Sequence, residues 1–131
     1  MIDPAAAVRI ARPSRDLAAA ERFYVQGLGL HVLYRTAAGN PAEHDLVMVG
    51  LPQACWHLEL VGGANVTVSP APTPEDLLVL YLGTPVDDAL VSRLERAGGR
   101  RVPQGAYWDR WAVTLQDPDG YRLVLSHRAS S

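Results

Sequence analysis

Several things are scarce in this 131-residue chain, and each scarcity closes off a class of protein. A single cysteine, Cys55, cannot form an internal disulfide, which fits a reducing compartment. Excess charge of one sign is missing as well. The formal net charge is −2 and no basic or acidic run exceeds a few residues, so the electrostatic footprint of a nucleic-acid binder is absent. No long apolar run opens the chain. Met1 to Ala7 carries an acid where a basic stretch would be needed, which matches neither a secretion signal nor a membrane anchor. These features predict a soluble cytoplasmic protein with no nucleic-acid and no membrane partner. The length suits one domain able to bury roughly 68% of its unfolded surface, and nothing in the sequence marks a second.

What is present is a half-repeat. Asp16, Phe23 and Gly27 recur as Asp87, Leu94 and Gly98, each pair 71 residues apart. In both halves an apolar strand leads into a helix closed by Gly, and further strands follow. A module of this kind cannot cover its own sheet face alone, so two copies must pack on each other or on those of a second chain.

In the first half the spacing predicts strands over Val8 to Arg12, Leu30 to Thr36, Asp45 to Val49 and Trp56 to Val61. A helix from Asp16 to Gly27 buries Leu17, Ala20 and Tyr24, and turn-rich Ala38-Gly39-Asn40-Pro41 and Gly50-Leu51-Pro52-Gln53 separate the strands. Ser69 to Pro74, with three prolines, reads as a semi-rigid linker. In the second half Leu77 to Leu82 is a buried strand, and Thr84-Pro85-Val86-Asp87 reads as a capping-box variant with Pro at the first helical position. The helix it opens buries Val86, Ala89, Leu90, Leu94 and Ala97 and stops at Gly98. Strands follow around Arg101 and Val102, from Trp111 to Gln116 and from Tyr121 to His127. Asp117-Pro118-Asp119-Gly120 makes the last hairpin a type I turn. The expected fold is α+β, with paired βαβββ modules forming two curved mixed sheets around a cleft. Module one covers about 6–68, the linker 69–76 and module two about 77–128.

Asp16-Leu17, Phe23-Tyr24, Gly27-Leu28-Gly29-Leu30 and the closing Asp117-Pro118-Asp119-Gly120-Tyr121-Arg122-Leu123-Val124-Leu125 together resemble the vicinal oxygen chelate superfamily of glyoxalase I, bleomycin-resistance proteins and extradiol dioxygenases. Val8-Arg9-Ile10-Ala11-Arg12-Pro13, His57-Leu58-Glu59 and Tyr107-Trp108 resemble its YycE-like subgroup. In the superfamily's metalloenzymes each module typically supplies a metal ligand from its first strand and another from its last. The resemblance places these four positions on Arg9, Glu59, Leu80 and Val124. Arginine, leucine and valine offer a metal no usable lone pair, so Glu59 alone is left and no metal or other cofactor is expected.

By alternation His57 and Glu59 share a face that is either the ligand groove, as the resemblance implies, or a solvated sheet surface. Arg9 is either a groove guanidinium bridging Glu59 or a surface residue on an edge strand. If the pair is completely buried, its loss costs about 3–5 kcal/mol, and less if water enters. Tyr107, Trp108 and Trp111 offer flat contact area for a ligand, or plug the end of the core. His31, His44 and His127 have no ligand-like spacing and are expected in solvated positions, while Cys55 is expected as a small buried hydrophobe.

The expected activity is metal-free binding of a small organic molecule. Arg9, His57 and Glu59 form the polar wall of its site, and Leu80, Val124 and the aromatic segment the apolar wall, with Arg122 a further contact. The alternative is a lyase, isomerase or dioxygenase using Glu59 and His57, and an interaction domain with an empty groove is a third. Edge strands in need of cover, together with the superfamily's habit of pairing, predict a homodimer.

Overall fold

A computed structural model describes residues 1–36, 45–63 and 66–130. The turn expected at Ala38 to Pro41, and His44, lie outside the described residues. The first half forms β1 (Val8–Pro13), α1 (Leu17–Arg22), β2 (His31–Arg35), β3 (Asp45–Gly50) and β4 (Trp56–Gly62). The second forms β5 (Leu77–Tyr81), α2 (Asp88–Arg96), β6 (Arg100–Arg101), α3 (Ala106–Trp111), β7 (Ala112–Gln116) and β8 (Arg122–Ser126). Sheet A has the strand order β1-β4-β3-β2 and sheet B the order β5-β8-β7-β6. In each sheet the first strand runs parallel to the last and the other pairings are antiparallel, so the expected paired βαβββ modules are present. No helix of the described residues is long and apolar enough to cross a membrane.

The half-repeat has a physical basis at each landmark. Asp16 and Asp87 are both N-caps, accepting from the amides of Ala19 at 3.1 Å and Ala89 at 2.9 Å. The second cap is therefore Asp87, and Pro85 stays outside the helix. Phe23 and Leu94 are both fully buried. The glycines differ. Gly98, at φ +98°, ends α2 in a Schellman motif, with Gly99 N–H donating to the Leu94 carbonyl at 2.8 Å and Gly98 N–H to that of Glu95 at 3.1 Å. Gly27 is a close-approach site, since a Cβ there would stand 3.0 Å from the Ala97 Cβ and 3.1 Å from Leu94 Cδ2. The first helix instead widens into a π turn at Phe23–Gly27, so it ends at Gly27 as expected, and Gly29, at φ +91°, makes the turn that follows.

One hydrophobic core serves both modules. Phe23 and Tyr24 from the π turn, Val49, Leu58 and Leu60 from sheet A, Val91 and Leu94 from α2, and Leu115, Leu123 and Leu125 from sheet B form a single cluster. α1, the π turn and α2 thus lie at the inner faces of the sheets, and the other face of each sheet turns away from the shared core.

A polar brace closes the junction. The Tyr24 hydroxyl donates to Asp117 Oδ2 at 2.7 Å, while Asp117 Oδ1 accepts from the amides of Asp119 at 2.8 Å and Tyr121 at 3.0 Å. Arg15 N–H donates to Asp119 Oδ1 at 2.9 Å and its side chain to the Pro70 carbonyl at 3.0 Å. The Asp-Pro-Asp-Gly turn that closes the β7–β8 hairpin therefore also latches module two to the start of module one.

Candidate functional site

Along β4, Leu58, Leu60 and Gly62 are buried and turn inward, which sends His57, Glu59 and Val61 to the outer face of sheet A. Parallel register sets Arg9 beside His57 and Ala11 beside Glu59, while antiparallel register sets Gly50 beside His57 and Met48 beside Glu59. Arg9, His57 and Glu59 consequently meet. Arg9 Nε–H donates to His57 Nε2 at 3.2 Å, which assigns the neutral imidazole proton to Nδ1, and Arg9 Nη1 stands 3.7 Å from Glu59 Oε1. The Arg9 side chain is 52% exposed and that of Glu59 16%, so the guanidinium is the outer member and the carboxylate lies behind it.

That exposure decides the energetics, because water screens the pair and loosens its hold on geometry. Arg9→Ala is expected to change the stability of the isolated chain by about 0–1 kcal/mol. Denaturant titration of wild type and variant checks this. A loss above about 2 kcal/mol would mean that something in solution covers the pair.

Sequence reasoning missed a further part of this face. The register of β2 on β3 shifts between Val32 and Tyr34, which makes Leu33 the extra residue of a β-bulge. Tyr34 lies opposite Met48, which puts it on the face of Glu59. Leu33 Cδ1 lies 3.0 Å from the point a Cβ on Gly50 would occupy, so Leu33 shares that face. Strict alternation would have separated the two. The only trace in the sequence is the unbroken apolar run Val32-Leu33-Tyr34, unusual on a half-exposed edge strand.

The other expected wall lies elsewhere. Leu80 registers with Leu125 and packs on the core, while Val79 registers with Val124, a one-residue slip from the expected placement. Val124 has no exposed surface. It shares its face with Ala112, Thr114 and Ser126, all buried, and α3 lies next to β7 and β8. Arg122 donates to the Pro103 carbonyl at 3.2 Å and to Gln104 Oε1 at 2.6 Å. The rings of Tyr107 and Trp108 meet edge to face at 5.1 Å, and the guanidiniums of Arg110 and Arg128 lie over Trp111 at 4.8 and 5.1 Å. The three aromatics thus lie together on α3, beside sheet B, with Tyr107 exposed. Because both sheets present their inner faces to one core, a single chain does not bring Arg9, His57 and Glu59 into one pocket with Leu80, Val124 and this segment.

The remaining candidates are accounted for structurally. His127 Nδ1 accepts the Val86 amide at 2.9 Å, and His31 is exposed. Cys55 is exposed, contrary to the buried position expected. It ends the turn before β4, where its carbonyl accepts Val8 N–H at 2.7 Å and nothing encloses the thiol. A cavity of about 600 Å³ lies between α1 and the β2–β3 pair beside the Arg35–Glu21 ion pair and is lined by none of the expected site residues.

A metal fits this donor set poorly. Among the described residues no three of His, Cys, Asp and Glu converge, and the two donors that are adjacent, His57 and Glu59, flank a permanently cationic guanidinium.

Family models described as the YycE-like N-terminal domain and the YycE-like C-terminal domain match residues 8–61 and 75–127. The uncharacterized protein YycE of Bacillus subtilis (strain 168) is 39% identical over 123 residues, covering 92% of this chain and 87% of that protein. A crystal structure of a YycE protein of unknown function from Bacillus subtilis superposes with a TM-score of 0.81 at 34% identity, over 97% of this chain and 93% of that one. Leishmania major glyoxalase I shares the fold, with a TM-score of 0.69 at 20% identity over 92% of this chain and 84% of that one. So does the fosfomycin resistance protein FosX of Mesorhizobium loti, with a TM-score of 0.64 at 14% identity over 97% and 93%.

Proposed function

The chain belongs to the YycE-like family of the vicinal oxygen chelate superfamily, and from that premise we propose that it binds a small organic molecule, without a metal, on the outer face of sheet A. One observation carries the reading. Where the superfamily's metalloenzymes hold a metal, this chain sets a guanidinium between an imidazole and a carboxylate, on a face whose remaining side chains are largely apolar. A permanently charged guanidinium with further donors offers an acceptor atom the directional contacts that a metal would otherwise supply.

A homodimer is part of the proposal. β1 is an edge of sheet A and shows Val8 and Ile10 at 50% and 43% exposure, while β5 is an edge of sheet B and shows Tyr81 at 39%. Unpaired edges with apolar side chains invite cover. A second copy placing its β5 edge beside β1 covers both.

Two measurements test this. Metal analysis of protein purified without chelators is expected to find no stoichiometric transition metal, whereas stoichiometric metal that Glu59→Gln abolishes would overturn the metal-free reading in favour of a lyase, isomerase or dioxygenase. Sedimentation is expected to give the mass of a dimer. A monomer mass independent of concentration would remove the dimer from the proposal.

A further inference from the structure

We infer that the ligand held at Arg9 is a flat apolar molecule bearing an anionic or strongly accepting oxygen group, and that Tyr34, carried onto the face by the β2 bulge, decides which such molecule binds. The inference rests on the outer face of sheet A being the binding face.

The head group follows from which atoms are available. Arginine has five N–H donors and no acceptor. Arg9 commits Nε–H to His57 and turns one side of Nη1 toward Glu59 at 3.7 Å, longer than a hydrogen bond, and among the described residues the donors of Nη2 have no partner. Glu59 sits behind the guanidinium, so an approaching molecule meets donors first. An oxygen acceptor satisfies them, and a cationic group does not.

The body of the ligand follows from the order of side chains across the sheet. From β1 to β2 the face reads Arg9 and Ala11, then His57 and Glu59, then Gly50 and Met48, then Leu33 and Tyr34, with His31 opposite Gly50 at the start of β2. The β1 and β4 side carries the charged groups, and Leu33, Tyr34 and Met48 make the opposite end mostly apolar, with the imidazole of His31 beside them. With neighbouring strands about 4.8 Å apart, the span from β4 to β2 is about 10 Å, the length of a ring system carrying a head group. Gly50 keeps the floor continuous between the two ends. A Cβ there would stand 2.9 Å from the His57 Cβ and 3.0 Å from Leu33 Cδ1, so the glycine lets these two side chains close over the strand with nothing protruding between them.

At the apolar end Tyr34 is 54% exposed and Leu33 41%, with Met48 opposite Tyr34. An aromatic ring beside a thioether favours a flat partner, which gains stacking or edge contact in addition to burial. Without the bulge only one of Leu33 and Tyr34 would face the ligand, so the extra residue in β2 doubles the apolar surface at that end.

Phenylphosphonate and methylphosphonate share a head group and differ only in the ring, so they separate the two parts of the inference. Each is titrated into the intact protein, with backbone amide shifts read by NMR. Both are expected to shift the amides of Arg9 and His57. Phenylphosphonate alone should shift Leu33, Tyr34 and Met48, and it should bind about tenfold more tightly. Arg9→Gln should weaken both probes. Tyr34→Ala should abolish the preference for the ring while leaving methylphosphonate unchanged, and Tyr34→Phe should restore the preference. Because Tyr34 is exposed, unchanged amide shifts at Leu58 and Leu123 will show that the variants are folded. Equal binding of the two probes by wild type, or a ring preference that survives Tyr34→Ala, overturns the inference while leaving the binding face intact. If neither probe shifts Arg9 or His57, the binding-face reading fails with it.

Discussion

Leu94→Ala is expected to destabilise the protein by about 4–5 kcal/mol, the upper end of the range for removing a buried leucine side chain. Leu94 has no exposed surface, and its Cδ2 lies 3.1 Å from where a Cβ on Gly27 would stand. The cost of such a truncation depends on how far the surroundings can collapse into the space left behind. Here they are held. On one side is the backbone of the π turn at Gly27. On the other is the Schellman motif, in which the Leu94 carbonyl itself accepts Gly99 N–H at 2.8 Å. Gly99 cannot move in readily either, since even a Cβ on it would meet Phe23 Cε2 at 2.7 Å. Guanidinium unfolding checks the magnitude. Because Leu94 belongs to the one cluster joining both sheets, hydrogen exchange should lose protection in β4 and β8 together, and loss confined to β8 would show that the modules hold separate cores.

The architecture was legible in the sequence because two strong local signals agreed with each other. Asp caps and buried positions repeated at one offset, and Asp117-Pro118-Asp119-Gly120 announced the last hairpin; each feature acts within a few residues of itself. The misplacements share a different origin, since they depend on one-residue insertions. The bulge at Leu33 turns Tyr34 toward Glu59, and β5 sets Val79 beside Val124 where the resemblance implies Leu80. A single added residue reverses the face of everything beyond it in a strand, and periodicity read along one chain does not register it. α3 was hidden for another reason. Pro103 and Gly105 precede it, its start relies on Asp109 Oδ1 accepting the Gln104 amide at 2.9 Å, and it has six residues, too few to show a helical period. Arg9 and Glu59 came from the resemblance and His57 from alternation along one strand, whereas the parallel register that sets Arg9 beside His57 acts between strands 48 residues apart.

Tyr24→Phe is expected to cost about 2–3 kcal/mol at neutral pH, and the loss should shrink on acidification. The Tyr24 hydroxyl is the donor to Asp117 Oδ2, in a site where both residues are buried. Burial first, and the Asp117 carboxylate second, push the phenol well above its ordinary value, so it stays a neutral donor throughout the physiological range. Asp117 is itself raised, because desolvation outweighs the lowering by the Tyr24 hydroxyl and by the amides of Asp119 and Tyr121. A carboxyl raised in the folded state binds its proton more tightly there than in the unfolded chain. Its favourable contribution is therefore complete below the ordinary carboxylate value and is lost as pH rises through the raised one. Wild type should consequently gain stability relative to Asp117→Asn as pH falls toward about 4, the reverse of the behaviour of an ion-paired carboxylate. Removing the Tyr24 hydroxyl takes away one of the groups that holds the carboxyl down, so in Tyr24→Phe the pH window should move upward. Unfolding free energies of wild type, Tyr24→Phe and Asp117→Asn at mildly acidic and neutral pH decide the matter. A Tyr24→Phe loss that stays constant or grows on acidification would show that Asp117 does not carry the buried charge at this junction.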